Sequence, residues 1–408
     1  MHDRLFESAL GIAPPWFVAG VRFDEASKVL TVGIDFTAGR RFAVDGATGE
    51  HPVHDTVTKT YRHLNFFQHE CMLEVRTPRV KLPDGTVHLV KPPFAGKLSG
   101  FTLLFEALVL MLARQMPFAA VARIVGISAY RVLAICRRYV TLALQATDFS
   151  QVKALAIDET SRARGHDYIT LAADATERRV LAVAEGREAK TVATIAAELA
   201  DHGCPPEQID SVSIDMSPAF IKGCAEQLPN ARITFDKFHV VWHANAAVDK
   251  MRRIEQRADK SLKGMRWSLL KDRASLRPEA AADLDALIAR MTTVRTARAW
   301  VYKQQLREIL ERKQINVVRN MLKHWCTCVM RSKVEPMKDV AAMVRRHLEG
   351  IVAWAQTRQT NGFLEALNGL FQAAKRRARG FTSFDTIRTV IFLIAGKLDF
   401  AAVNPHAR

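Results

Sequence analysis

From Val152 to Phe235 the apolar residues change rhythm repeatedly. Strand-like runs at Val152 to Ile157, Tyr168 to Ala173, Arg179 to Ala184, Ser211 to Ile214 and Arg232 to Phe235 are separated, in the second half, by helical spacing at Lys190 to His202 and Pro218 to Gln227. Three consecutive strands followed by alternating strands and helices bury their apolar faces best in one mixed sheet covered by helices, so this stretch predicts an α/β core. The rest of the chain lacks that alternation. Residues 1 to about 95 are rich in Pro, Gly and Thr and hold short runs such as Val29 to Phe36 and Met72 to Val80, which predict a small β module. From Phe101 to about Leu144 the spacing is helical, and Gly126-Ile127-Ser128 interrupts the helix signal between Pro117 and Tyr139, a helix-turn-helix pattern. His239 to about Gln356 shows helical periodicity alone and predicts a large all-helical insertion. Asn361 to about Lys397 is again helical, its last apolar helix expected to pack back on the sheet, and Asn404 to Arg408 reads as a disordered tail. The expected segments are 1–98, 99–148, 149–240, 241–357 and 358–408.

Two of the strand-like runs end on an acid. Asp158 follows Ala154 to Ile157, and Asp215 follows Val212 to Ile214. An acid at the end of a buried strand is held by rigid backbone at the sheet's edge. Two such strands side by side bring hard oxygen ligands within reach of one magnesium or manganese ion. Strand ends also carry Asp simply as a turn residue, so spacing alone leaves both readings open. Glu159 competes with Asp158, but alternation along a strand turns it to the opposite face.

The ordered segments Pro52-Val53-His54-Asp55, Gly100 to Glu106, Leu155-Ala156-Ile157-Asp158-Glu159, Ser213 to Ser217, Phe235-Asp236-Lys237-Phe238-His239 and Asn361-Gly362-Phe363-Leu364-Glu365 resemble the DDE transposases of the insertion-sequence ISL-three (ISL3) group. The resemblance runs from about His54 to Lys397. It implies an RNase H-like core interrupted by a helical insertion, with a catalytic and metal-binding triad at Asp158, Asp215 and Glu365. The separations of 57 and 150 residues match an insertion between the second Asp and the Glu. It further implies two Mg2+ (or Mn2+) ions, cleavage of transposon ends, and transfer of the freed 3′-hydroxyl strand to target DNA. Asp236 and His239 look like the Asp-x-x-His element of such enzymes, with a supporting place at the active-site rim; a helix-start Asp that caps its helix beside a packed His fits them equally. The implied partners are double-stranded DNA, both terminal inverted repeats and target, and a second copy of the chain in a homodimer or higher oligomer. The implied location is the bacterial cytoplasm, on the nucleoid.

Charge agrees with a polyanionic partner. The 408 residues carry 59 Lys and Arg against 42 Asp and Glu, a formal charge of +17, beside a hydrophobic content of 49%. The second helix of the helix-turn-helix offers Ser128, Tyr130, Arg131, Arg137 and Arg138 for base-edge and phosphate contacts, though a plain αα-hairpin would show the same small residues at Ala119, Ala120 and Ala122. Nine Lys or Arg between Lys250 and Arg273, among them Arg252 and Arg253, and the run Lys375, Arg376, Arg377 and Arg379 are further candidates for phosphate contact; a solvated basic face is the plainer reading of each. Five tryptophans between 240 and 356 read first as the core of a helical bundle, and second as a surface for stacking an unpaired base.

Members of the group begin with a zinc ribbon of paired cysteines. Here the corresponding stretches read Phe42 to Gly46 and Lys81 to Gly85, and only Cys71 lies nearby. Without thiolates a four-ligand zinc site cannot form, so zinc is not expected, and the module is expected either to keep the ribbon's shape by packing or to have lost stability and DNA affinity. The scattered cysteines and the absence of a long uncharged apolar run point to a reducing compartment and to no membrane span. Two other readings share these features: a DNA-binding protein that has lost catalysis, and an RNase H-like nuclease that cuts without strand transfer.

Overall fold

The computed structural model describes residues 6–8, 10–163, 167–359, 361–378, 380–381 and 383–407. The chain divides into two units, one of residues 1–147 with 371–408, the other of residues 148–370.

In the second unit, β7 (Ala154–Ala163), β8 (Asp167–Asp174), β9 (Arg179–Glu185), β10 (Ser211–Ile214) and β11 (Arg232–Phe235) form one sheet in the order β11-β10-β7-β8-β9. The first three strands of the chain order are antiparallel, while β10 runs parallel to β7 and β11 parallel to β10. Parallel neighbours need crossovers, and helices α4 (Ala189–Asp201) and α5 (Pro218–Gln227) supply them. Leu155, Ile157, Leu181, Val212 and Ile214 from the strands join Val192, Ile195, Leu199 and Phe220 from these helices in one buried core. The sequence-based bounds coincide with those observed for β10, α5 and β11, but β7 runs on to Ala163, six residues beyond the expected end at Ile157, so Asp158 lies within the strand, paired with Leu171 of β8, rather than at its end.

After β11 the chain is helical as expected: α6 (Lys237–Glu255), the short α7 (Arg266–Leu270), α8 (Pro278–Ala289), α9 (Arg295–Glu311), α10 (Ile315–Met330), α11 (Glu335–Arg346) and α12 (Leu348–Thr357). In α6, Val240, Ala244, Ala247, Val248 and Met251 form the i, i+4, i+7, i+8, i+11 stripe that buries one face. Gly350 of α12 lets this helix lie against β11, since a Cβ there would stand 2.4 Å from the Phe235 ring. Trp300, Trp325 and Trp354 are buried in this bundle, whereas Trp242 and Trp267 are more than half exposed.

In the first unit, β1 (Trp16–Asp24), β2 (Val29–Phe36), β3 (Arg41–Phe42), β4 (His51–Phe66) and β5 (His69–Lys81) form a sheet in the order β1-β2-β5-β4-β3, with β6 (Val87–Leu89) on β5. A long β4–β5 hairpin dominates it. Apolar packing holds the module: Trp16 meets Phe36 and Phe42 at ring separations of 5.9 and 5.8 Å, and Cys71 lies in the same core.

Helices α1 (Leu103–Ala113), α2 (Phe118–Val125) and α3 (Ala129–Gln145) follow. Gly126 ends α2 in the left-handed region (φ 71°), Ser128 caps α3 by accepting from Arg131 N–H, and the two helices meet at 110°. Among the described residues no single helix is long and apolar enough to cross a membrane.

Two expectations about the C-terminus need correction. The last helix, α14 (Phe384–Ala395), expected to pack on the sheet, belongs to the first unit and packs against α3, where Asp385 pairs with Arg137 at 3.5 Å. Its apolar face finds the exposed flank of the helix-turn-helix. The tail is also tied down: Asn404 is fully buried and its Nδ2 donates to Leu103 O at 2.9 Å and Tyr139 Oη at 3.0 Å. A polar asparagine in a short terminal run carries no periodicity that would reveal this anchor.

Candidate active site

The register of the parallel strands lines up three aspartates. Ser213 of β10 is paired with Ala156 of β7, and Ile214 with Phe235 of β11. Two residues past the first pairing and one past the second, the chains reach Asp158, Asp215 and Asp236 on one level across three neighbouring strands. Parallel strands lie about 4.8 Å apart, so the three backbones hold their acids close together.

Each carboxylate has a distinct environment. Asp158 is partly buried; its Oδ1 accepts from Glu159 N–H at 2.9 Å and its Oδ2 from Asn368 Nδ2 at 2.9 Å. Burial pushes its carboxyl up from the ordinary 3.8 to about 6, with the nearby charge of Asp215 adding to the rise and His239 opposing it. Asp215 accepts from Ser217 N–H at 2.9 Å in the turn that begins α5. Asp236 is fully buried. It caps α6 by accepting from Phe238 N–H at 2.9 Å, and its other oxygen accepts from Asn361 N–H at 2.6 Å. The expected rim position for Asp236 therefore gives way to an interior one: a helix cap at a strand end must sit inside if the helix packs on the sheet. Glu159 turns away as alternation requires and meets Arg187 at 3.2 Å.

Glu365 arrives on α13 (Gly362–Arg377). Burial raises its carboxyl above the usual range, helped by the charge of Asp236 and opposed by His239. His239 therefore lies within electrostatic reach of Asp158 and Glu365 alike, one turn into α6. Glu365 Oε1, Asn368 Oδ1 and His239 Nε2 are buried polar atoms without a hydrogen-bond partner. A cavity of about 400 Å³ opens beside Glu365, floored by Phe238, Val241 and Leu310 and walled by the ion pairs Lys237–Glu311 and Arg307–Asp272, both at 2.7 Å.

The donor chemistry suits a hard divalent cation, since the carboxylates offer anionic oxygens and one of them, Glu365 Oε1, is buried with nothing to satisfy it. Among the described residues no group of three or more His, Cys, Asp or Glu stands close enough to hold a single ion as placed. The upward shifts of Asp158 and Glu365 come first from burial, with the charges of Asp215 and Asp236 respectively adding to them.

Residues 155–391, more than half of the chain, match the ISL3 family of proteins described as "Transposase". The chain belongs to the ISL3 transposase family. Residues 90–140 of the transposase match the "Helix-turn-helix domain of transposase family ISL3". It is 25% identical over 394 residues to the "Transposase for insertion sequence element IS1001" of Bordetella parapertussis, covering 93% of this chain and 95% of that one. It is 26% identical over 416 residues to the "Transposase for insertion sequence element IS1557" of Mycobacterium tuberculosis (strain CDC 1551 / Oshkosh), covering 93% and 92%. With a helix-turn-helix domain of this family, the transposase is a DNA-binding protein.

The residues of the transposase expected to touch DNA fall into two groups. Tyr130 is 79% exposed, and Arg138 is exposed on α3. Arg376 and Arg377 are exposed in the last turn of α13, which also carries Lys375; Arg379 lies outside the described residues. Others already have structural work. Ser128 is the α3 cap, Arg131 stacks 4.1 Å over Phe101 and donates to Ser99 O at 2.8 Å, and Arg137 pairs with Asp385. Arg252 is 8% exposed and donates to Asp249 through Nε (2.9 Å) and Nη2 (2.7 Å), while Arg253 donates to the same carboxylate at 3.0 Å. The expected phosphate contact by Arg252 does not hold in this arrangement, because Asp249 is a buried acid that takes its charge inward. Sequence reasoning missed the interior role of Asp236 and the bonds made by Asn361 and Asn368; the strand-then-acid pattern at Phe235-Asp236 was the signal for the first.

Proposed function

We propose that this transposase cleaves the ends of its element and joins the freed 3′-hydroxyl to target DNA at a site formed by Asp158, Asp215 and Glu365 on an RNase H-like core. The observation that carries this reading is the alignment of Asp158, within β7, with Asp215, just past the end of the adjacent parallel β10, while Asn361 and Asn368 tie α13, the helix of Glu365, to β7. The strand order β11-β10-β7-β8-β9, parallel across its first three members and antiparallel from β7 to β9, supports the RNase H-like assignment. Asp158, Asp215 and Glu365 would hold magnesium or manganese. When bound, a pair of such ions supplies positive charge at the attacking and leaving oxygens of an in-line phosphoryl transfer. The chain's own part is to fix Asp158 within β7 and Asp215 just past the end of β10, to set Asn368 against Asp158, and to bring repeat DNA through the helix-turn-helix, with Tyr130 and Arg138 as exposed contacts. Pairing two ends calls for at least two copies of the chain.

Incubating a labelled inverted-repeat end with supercoiled plasmid and Mn2+ tests the reading. New covalent donor–plasmid junctions are expected. Cutting without junctions would favour a nuclease, and binding with no cutting would favour a DNA-binding protein that has lost catalysis.

A further inference from the structure

Asn361, Glu365 and Asn368 are spaced i, i+4 and i+7, so they lie in one stripe along the start of α13. That stripe meets β7 at two consecutive residues. Asn361 Nδ2 donates to Ile157 O at 3.2 Å, and Asn368 Nδ2 donates to Asp158 Oδ2 at 2.9 Å. Asn361 also ties the start of the helix to the third strand end, through its backbone N–H to Asp236 at 2.6 Å, while its carbonyl accepts from Glu365 N–H at 2.9 Å. Asn361 is fully buried. Glu365 thus stands between two amides anchored to the strand of Asp158.

We propose that Asn361 and Asn368 are positioning residues that set the register of the Glu365 helix against the Asp158 strand, and that Asn368 in addition aims the Asp158 carboxylate. The inference rests on reading Asp158 and Glu365 as partners in one metal-binding site. A helix sliding or rotating by one residue moves a side chain by 1.5 Å along the axis and 100° about it, which is enough to separate two carboxylates that must share an ion. Amides suit the task because they donate to a carbonyl and a carboxylate without adding charge to a crowded anionic site. A carboxylate at position 368 would have no N–H to donate and would repel Asp158.

Asn368→Ala, Asn368→Asp and Asn361→Ala in the full chain test this, with Ala366→Gln on the exposed side of the same helix as control and Asp158→Ala as reference. Two quantities are read: the rise in unfolding temperature caused by Mn2+ alone, and the Mn2+ concentration for half-maximal end cleavage. Asn368→Ala is expected to lose most of the Mn2+-induced rise and to need at least tenfold more Mn2+, with its metal-free unfolding temperature close to wild type. Asn368→Asp should be no better, and Ala366→Gln should match wild type. If Asn361→Ala does not fold, Asn368 decides alone. Wild-type behaviour of Asn368→Asp and Asn368→Ala, with Asp158→Ala inactive and unresponsive to Mn2+, would overturn the positioning role and leave the triad standing. Wild-type behaviour of Asp158→Ala would remove the triad itself.

Discussion

The backbone N–H of Asn361 donates to Asp236 Oδ2 at 2.6 Å across 125 residues of sequence, with both residues fully buried. This one bond joins the end of β11 to the start of the helix that carries Glu365, so the helical insertion leaves the sheet and returns to it at the same point.

Removing that link has a definite cost. Asp236→Ala deletes the α6 cap, about 1 kcal/mol, and strands a buried N–H at Asn361, about 1–3 kcal/mol. A loss of about 3 kcal/mol is expected in urea unfolding followed by tryptophan fluorescence, because five of the six tryptophans lie in the insertion. Asp236→Asn, which can still cap, should lose less. An unchanged midpoint for Asp236→Ala would contradict the structural role.

The Asp158 carboxyl, pushed up from 3.8 to about 6 by burial, makes metal-free stability depend on pH. Between those values the folded state holds a proton that the unfolded state has released, so stability is greatest at the acid end of the window. It falls as pH rises, by up to about 3 kcal/mol. Asp158→Asn should therefore raise the unfolding temperature of metal-free protein at pH 7.5 and flatten the wild-type slope between pH 4 and 6. Mn2+ should stabilise wild type and not this variant. A destabilised Asp158→Asn protein at pH 7.5 would show that the acid is not strained.

In the first unit Glu106 is held from several sides. It is fully buried and accepts from Lys97 N–H (2.7 Å), Leu98 N–H (2.7 Å) and Tyr139 O–H (2.6 Å), while a Cβ on Gly96 would stand 2.5 Å from its Cδ. Glu106→Gln places an N–H against donors and is expected to lose at least about 2 kcal/mol, and Tyr139→Phe about 1 kcal/mol. Calorimetry on the full chain reads both. Wild-type stability for Glu106→Gln would argue that the group is solvated.

On α3 the neighbours Tyr130 and Arg131 should behave oppositely. Tyr130→Ala is expected to weaken binding to inverted-repeat DNA about 10- to 100-fold with stability unchanged, as for loss of a specific contact. Arg131→Ala should lower stability, since its guanidinium stacks on Phe101 and holds Ser99 O. Arg138→Ala should weaken binding to all sequences and reduce the salt slope by about one. Fluorescence anisotropy at several salt concentrations separates the three, and equal effects of Tyr130→Ala on specific and random DNA would contradict a reading role for Tyr130.

The core sheet was legible because its strands are apolar and punctuated: β10 and β11 each stop at an acid, and Leu155, Ala156 and Ile157 are buried in succession, as in a strand covered on both faces. The helix-turn-helix was legible because Gly126 adopts the left-handed φ that a sharp turn requires. The site itself was only half legible. Glu365 on a helix looks like any solvent-facing Glu until the resemblance singles it out, and nothing in Asn361 or Asn368 announces a bond to a strand about 200 residues earlier. The fate of Arg252 was hidden for the same reason: a run of cations reads as a surface, and only the fold shows that Asp249 draws one of them inside.

The central claim meets its most direct test in strand cleavage of a labelled inverted-repeat end with Mg2+ or Mn2+, comparing wild type with Asp215→Ala. Wild type is expected to cut at the element's end, and Asp215→Ala to bind the same DNA while cutting at least about 1,000-fold more slowly, as for loss of a group acting in phosphoryl transfer. Equal cutting by both proteins would contradict a carboxylate site built on Asp158, Asp215 and Glu365.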